Sequence, residues 1–275
     1  MAQSYLKNSN LAERDLDFLI ATVSGEIQDS FSLKQGIRTD EDVRNSYVGD
    51  EKVFRRLMDD DEAFLKISPA LFFEILLRQA ASDLERRGYT LEKSSHMKIP
   101  VFDTQEVIGL LGKEPFILYL ADMLASFTKI ESYVISVRVG KDIFEKIRFN
   151  NMDIPSLMRF CQVVEEKYRL ALYKRIADIC LFLMGIFPDY VERDYRYPFS
   201  GEVRPYLRGK LRMRPEDYEE EGRRFFKLAA EHPSAQELAL AEVFLTLHEN
   251  FHQARKPLNF LGEHYLPFKR HKFFL

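Results

Sequence analysis

The chain has 275 residues, of which 46% are hydrophobic and 30% charged, with 23 Phe, 13 Tyr and no Trp. That composition excludes a disordered chain and predicts a folded one with aromatic filling, while a formal net charge of -3 excludes a global field that would gather polyphosphate. The length sits near the upper limit for one continuous core, so one elongated helical body and two subdomains both fit.

The first residues carry no apolar stretch of signal-peptide length before acidic residues arrive, which predicts a chain that stays inside the cell. Residues 11–29 predict a helix through Leu16, Leu19, Ile20, Val23 and Ile27. From 36 to 67 the chain reads as short helices and loops, and its acidic run Asp59-Asp60-Asp61-Glu62 lacks the alternating oxygens and central Gly of a calcium loop, so it reads as a solvated face. Ser68-Pro69 is a helix start, and Phe72, Ile75, Leu76, Ala80 and Leu84 form a core-facing stripe that Gly88 terminates.

Residues 89–102 read as a connection ending at Pro100, after which Asp103 or Thr104 caps a short helix closed by Gly112. Pro115 opens a helix carrying Phe116, Leu120, Met123, Leu124 and Phe127. Ser132 to Val139 alternates like a strand, but a strand without a partner leaves its backbone unsatisfied, so it reads as helix or extended connection. A long central helix is predicted over 154–187, apolar nearly all round at its end and closed by Pro188. On one such helix Cys161 and Cys180 stand roughly 28 Å apart, too far to pair. Two free thiols favour a reducing, cytoplasmic setting.

The segment 189–214, rich in Tyr, Arg, Pro and Gly, reads as a connection and a possible boundary, which divides the chain into a main helical domain at 1–188 and a C-terminal helical subdomain at 189–275. Pro215 opens a helix in which Gly222 allows a close crossing and which His232-Pro233 ends. Ser234 and Glu237 form a capping box before a helix through Leu240, Phe244, Leu247 and Phe251, giving a C-terminal antiparallel pair. The expected class is therefore all-α, a compact bundle of about seven to nine helices around the central one. The most apolar run, Ile179 to Phe187, is about half the length that spans a bilayer, which predicts no membrane insertion.

One recognised constellation appears, His248-Glu249-x-x-His252. Two imidazoles four apart on a helix share a face suited to one zinc ion, and the Glu is placed as base toward its bound water. A third ligand is needed, and Glu263 and His264 are the nearest candidates. The stretch resembles the H-E-x-x-H peptidases, in which Glu is the commoner third ligand; that resemblance implies an upstream sheet whose edge holds substrate, and none is read here. The competing expectation puts His248 and His252 at a helix margin, where they need only hydrogen-bond neighbours.

Arg204, Arg208, Lys210, Arg212 and Arg214 form the best patch for an anionic partner, but Glu216, Asp217, Glu219, Glu220 and Glu221 follow at once, favouring an ion-paired surface over nucleic acid. No nucleotide-binding or serine-hydrolase motif is present. The tail Pro267 to Leu275, apolar beside a basic stretch, is expected to dock in a groove. The leading expectation is a non-catalytic scaffold or partner-binding protein, acting on another protein or as a homo-oligomer. A zinc hydrolase and an anion-binding protein stand as the alternatives.

Overall fold

A computed structural model describes residues 11–25, 29–60, 62–94, 97–129, 132–140, 143–150, 152–195, 213–267 and 274. The fold is all-α in class, with two separate two-stranded antiparallel hairpins among the described residues. It divides into two compact units, Met1–Ser126 with Lys256–Pro267, and Phe127–Arg255 with Phe268–Leu275.

The first unit holds α1 (Glu13–Val23), α2 (Ser30–Thr39), α3 (Glu41–Val48), α4 (Glu51–Asp59), α5 (Ala63–Lys66) and α6 (Pro69–Arg87). After the hairpin β1 (Thr90–Ser94) and β2 (Met97–Val101) come α7 (Thr104–Leu111) and α8 (Glu114–Ser126). Helix α6 forms as its sequence dictates: the Ser68 hydroxyl accepts from Leu71 N–H at 3.2 Å, Pro69 sits in the first turn, and Gly88 ends it at φ 73°, a left-handed conformation that only glycine adopts without strain. Its Leu71, Phe72, Phe73, Ile75, Leu76, Leu77, Ala80 and Leu84 are buried, and it packs on α7 and α8.

Glu74 is buried on the same helix, and a charge cannot be buried unpaired without a large desolvation cost. Arg44 of α3 bonds Glu74 at 2.5 Å and Glu114 at 2.9 Å, while Arg78 bonds Glu114 at 2.8 Å and Glu74 at 2.9 Å. The two arginines and two glutamates thus balance one another and tie α3, α6 and α8 together.

The second unit holds the hairpin β3 (Ser132–Gly140) and β4 (Ile143–Asn150), α9 (Ile154–Val163), a 3-10 turn at Glu166–Tyr168, α10 (Arg169–Ile186), α11 (Pro188–Tyr195), α12 (Pro215–Glu231), α13 (Pro233–Glu237) and α14 (Ala241–Glu249). Helix α15 (Phe251–Phe260) contributes to both units and runs into a π-helical turn at Leu261–Tyr265. Helix α10 packs on α12, and α12 packs on α14. Phe127 stacks on Phe182 at 4.1 Å, and Arg175 lies 4.0 Å over the Phe127 ring.

Four expectations are corrected. Ser132 to Val139 is a strand whose partner is the next segment, with Tyr133 opposite Phe149 and Ile135 opposite Ile147. Residues 90–94 and 97–101 form a hairpin in which Pro100 stands opposite Leu91, so the supposed connection is paired structure. The helix expected over 154–187 is broken: Val164 is extended at φ -82°, ψ 140°, and the Arg169 side chain donates to its carbonyl at 2.9 Å, closing α9 before α10 begins. The helix expected from Ser234 to Phe251 is three segments, interrupted at Ala239 (φ 57°) and at Asn250. The described residues hold fifteen α-helical segments where the sequence predicts about seven to nine, and these interruptions account for three of the additional ones. No helix among those residues is long and apolar enough to cross a membrane.

Candidate functional site

The H-E-x-x-H residues lie in the second unit, across the end of α14. The His248 ring meets the Arg223 carbonyl at 2.9 Å through Nδ1, and the Arg223 side chain returns a bond to the His248 carbonyl at 3.0 Å, stitching α14 to α12. Asn250 then breaks the helix, its backbone and side-chain N–H groups both donating to the Thr246 carbonyl, at 2.9 and 3.0 Å. His252 therefore lies in the first turn of the next helix, α15. Arg255 donates to its Nδ1 at 3.2 Å, and Glu219 lies 4.0 Å away. Glu249 is exposed. Among the described residues no group of three or more His, Cys, Asp or Glu is placed to hold a metal ion.

Of the basic cluster, Arg204, Arg208, Lys210 and Arg212 lie outside the described residues. Arg214 precedes α12 and is bonded to Asp217 at 2.6 Å, and that bond holds the Asp217 carboxyl below its ordinary range. Of the C-terminal tail, Phe274 is buried edge-on against Phe182 at 5.0 Å and Phe187 at 6.1 Å; residues 268–273 and 275 lie outside the described residues.

Glu263 and His264 belong to a different constellation, in the first unit. They line a cleft of about 330 Å³, its solvent-open mouth included, with Arg87 from the end of α6, Tyr89 and Thr90 from the start of the hairpin, and Lys256 and Asn259 from α15. The π-helical turn carries both residues on from the α15 face that holds Lys256 and Asn259.

Lys256 is the deepest charge in this cleft, its side chain only 5% exposed. Its ammonium pairs with Glu92 of β1 at 2.5 Å and with Asp103, which follows β2, and it reaches the Thr90 hydroxyl at 3.4 Å. Thr90 in turn donates to Asp103 at 2.7 Å. One buried lysine thus fixes both ends of the hairpin to α15, because a desolvated ammonium needs that compensation. Nearby, Lys98 of β2 pairs with Glu263 at 2.7 Å, and Tyr265 donates to Asp83 at 2.6 Å.

The hairpin so anchored turns apolar groups outward. Phe102 is 83% exposed, with Tyr89 edge-on to it at 6.4 Å, and Ile99 and Leu91 are exposed at 44% and 37%. Sequence reasoning singles out neither Lys256 nor Phe102. The available signal is a lysine set within an otherwise apolar helical stripe and an aromatic residue just before a helix cap. No family model, curated protein or solved structure matches the chain.

Proposed function

We propose that this is a non-catalytic partner-binding protein that presents the β1–β2 hairpin, with Phe102 at its base, to another protein chain. The observation that carries this reading is the pairing of rigidity with exposure: Phe102 is 83% exposed, yet the next residue, Asp103, is held by Lys256 and Thr90. An aromatic side chain fixed in water loses little further conformational freedom on binding and gains about 2 kcal/mol or more when a partner covers it. Exposed rings on frayed segments lack the first advantage.

The test places a photo-crosslinking residue at position 102 and, separately, at position 31, where Phe31 is comparably exposed on α2. A discrete crosslinked species from position 102 only, whose purified complex weakens about tenfold or more with Phe102→Ala, is the expected result. A species of twice the chain mass identifies the partner as a second copy. Equal crosslinking from both positions, or a complex indifferent to Phe102→Ala, overturns the reading.

A further inference from the structure

Arg87 ends α6 at the mouth of the Lys256 cleft, and its guanidinium is oriented without being neutralised. Its Cζ lies 4.8 Å over the Phe260 ring, and its Nη1 meets Nε2 of His264 at 2.9 Å. Arginine can only donate, so Nε2 accepts and the imidazole proton sits on Nδ1, which donates to the Phe260 carbonyl at 3.1 Å. The neutral imidazole stacks on Phe260 at 4.1 Å and 16°. Both of the groups that hold Arg87 are therefore uncharged.

The other charges of the cleft are spent. Lys256 faces Glu92 and Asp103, and Glu263 faces Lys98. Among the described residues no carboxylate forms an ion pair with Arg87, in contrast to its neighbour Arg86, which is bonded to Asp83 at 2.7 Å. The negative end of the α6 dipole explains how a cation is tolerated there but leaves the guanidinium donors unused. A planar fork, stacked on a ring and braced by one neutral acceptor, has most of its N–H groups ready for a planar or tetrahedral oxyanion.

We propose that this cleft binds a small oxyanion, the phosphate or carboxylate group of a ligand, with Arg87 as its forked donor. The site goes beyond the hairpin reading and does not depend on it. The oxyanion would sit at the solvent-open mouth of the cleft, where Arg87 stands with Tyr89 and Asn259 among the lining residues. Glu263, which lines the cleft, is held by Lys98 and does not compete for Arg87.

The experiment follows the arginine Nε–H resonances of the whole protein by NMR while inorganic phosphate, phenyl phosphate, acetate or chloride is added at constant ionic strength. Saturable shift of one resonance, absent in Arg87→Gln, is expected with phosphates or with acetate, whichever class the site takes. Affinity should fall about tenfold or more in Arg87→Gln, fall less in Arg87→Lys, and stay unchanged in Arg86→Gln, since a lysine keeps the charge but loses the fork. Both glutamine variants change exposed side chains, and an unaltered far-ultraviolet spectrum verifies their fold. Shifts no different from those of chloride, or equal binding by Arg87→Gln, overturn the proposal.

Discussion

The carboxylate of Asp15 accepts from the backbone N–H of Ser68 at 2.6 Å, so a residue in the first turn of one helix tethers the start of another fifty-three positions away. Its second oxygen accepts from Ala12 N–H at 3.0 Å, closing its own helix end, and the residue is 1% exposed. Asp15→Ala removes the buried carboxylate that accepts from two part-buried backbone donors. A loss of about 2–3 kcal/mol is expected, read as a lower urea midpoint at unchanged slope. Asp15→Asn, which keeps one acceptor, should cost less.

Gly222 of α12 has no room for a side chain. A Cβ there would stand 2.8 Å from the Phe251 ring at Cζ and 3.0 Å from Cys180 Cβ, and both neighbours are fully buried. Gly222→Ala gains helix propensity of about 1 kcal/mol, but overpacking of about 1–3 kcal/mol should outweigh it. The expected net is destabilisation, measured by thermal unfolding. Gly222→Ala with Phe251→Leu should recover part of it.

Removing Lys256 strips the hairpin of its anchor and leaves Asp103 and Glu92 facing each other. Lys256→Met is expected to destabilise by about 3 kcal/mol, the loss typical of breaking a buried pair from one side. Adding Asp103→Asn should restore part of that loss, whereas a purely hydrophobic role for the lysine stem predicts no restoration. Hydrogen exchange of the β1–β2 amides should quicken in the single variant.

Tyr265 supplies the pH dependence. Burial, and then its bond to Asp83, push its hydroxyl well above the ordinary tyrosine range. A group whose folded value is raised contributes stability that is complete below the unfolded value, about 10, and is lost as pH rises beyond it. The stability difference between the protein and Tyr265→Phe should therefore be flat from pH 7 to about 9.5 and shrink at pH 11. A difference independent of pH throughout that range would contradict the buried hydrogen bond.

Both thiols should resist alkylation. Burial raises the Cys161 thiol above its ordinary value and raises Cys180, completely enclosed, much further. Because the thiolate is the nucleophile, iodoacetamide at pH 8 should label neither appreciably in the native protein and both after unfolding. Mass spectrometry after brief exposure distinguishes the two states.

The sequence discloses the helices whose ends are written in local chemistry. Ser68-Pro69 with Gly88, and Pro215 with His232, depend on neighbours along the chain, and α6 and α12 lie where those residues put them. The hairpins stay hidden because a strand is recognised through its partner: Ile135 is legible only opposite Ile147, and Leu91 only opposite Pro100. The breaks at Val164 and Asn250 are closed by side chains, from Arg169 in one case and Asn250 itself in the other, that carry no periodic signature. The α13 cap moves for the same reason, since the His232 ring, not Ser234, accepts from the Ser234 N–H at 3.2 Å. The cleft joins residues 84–91 to 256–264, a separation across which no spacing rule operates.

The π-helical turn at Leu261–Tyr265 also bears on how this chain tolerates changes of length. Such a turn holds one residue more per winding than the α-helix, and each residue of α-helix advances the face by about 100°. Excising a single residue from this turn would let the segment rewind as ordinary α-helix at nearly the same rotation and rise, so the Tyr265 bond to Asp83 and the Lys256 anchor upstream both keep their place. The turn is thus where this helical stretch can take up one residue more or fewer without rotating the chain beyond it, whereas the same change within α15 would swing the following face by about 100°.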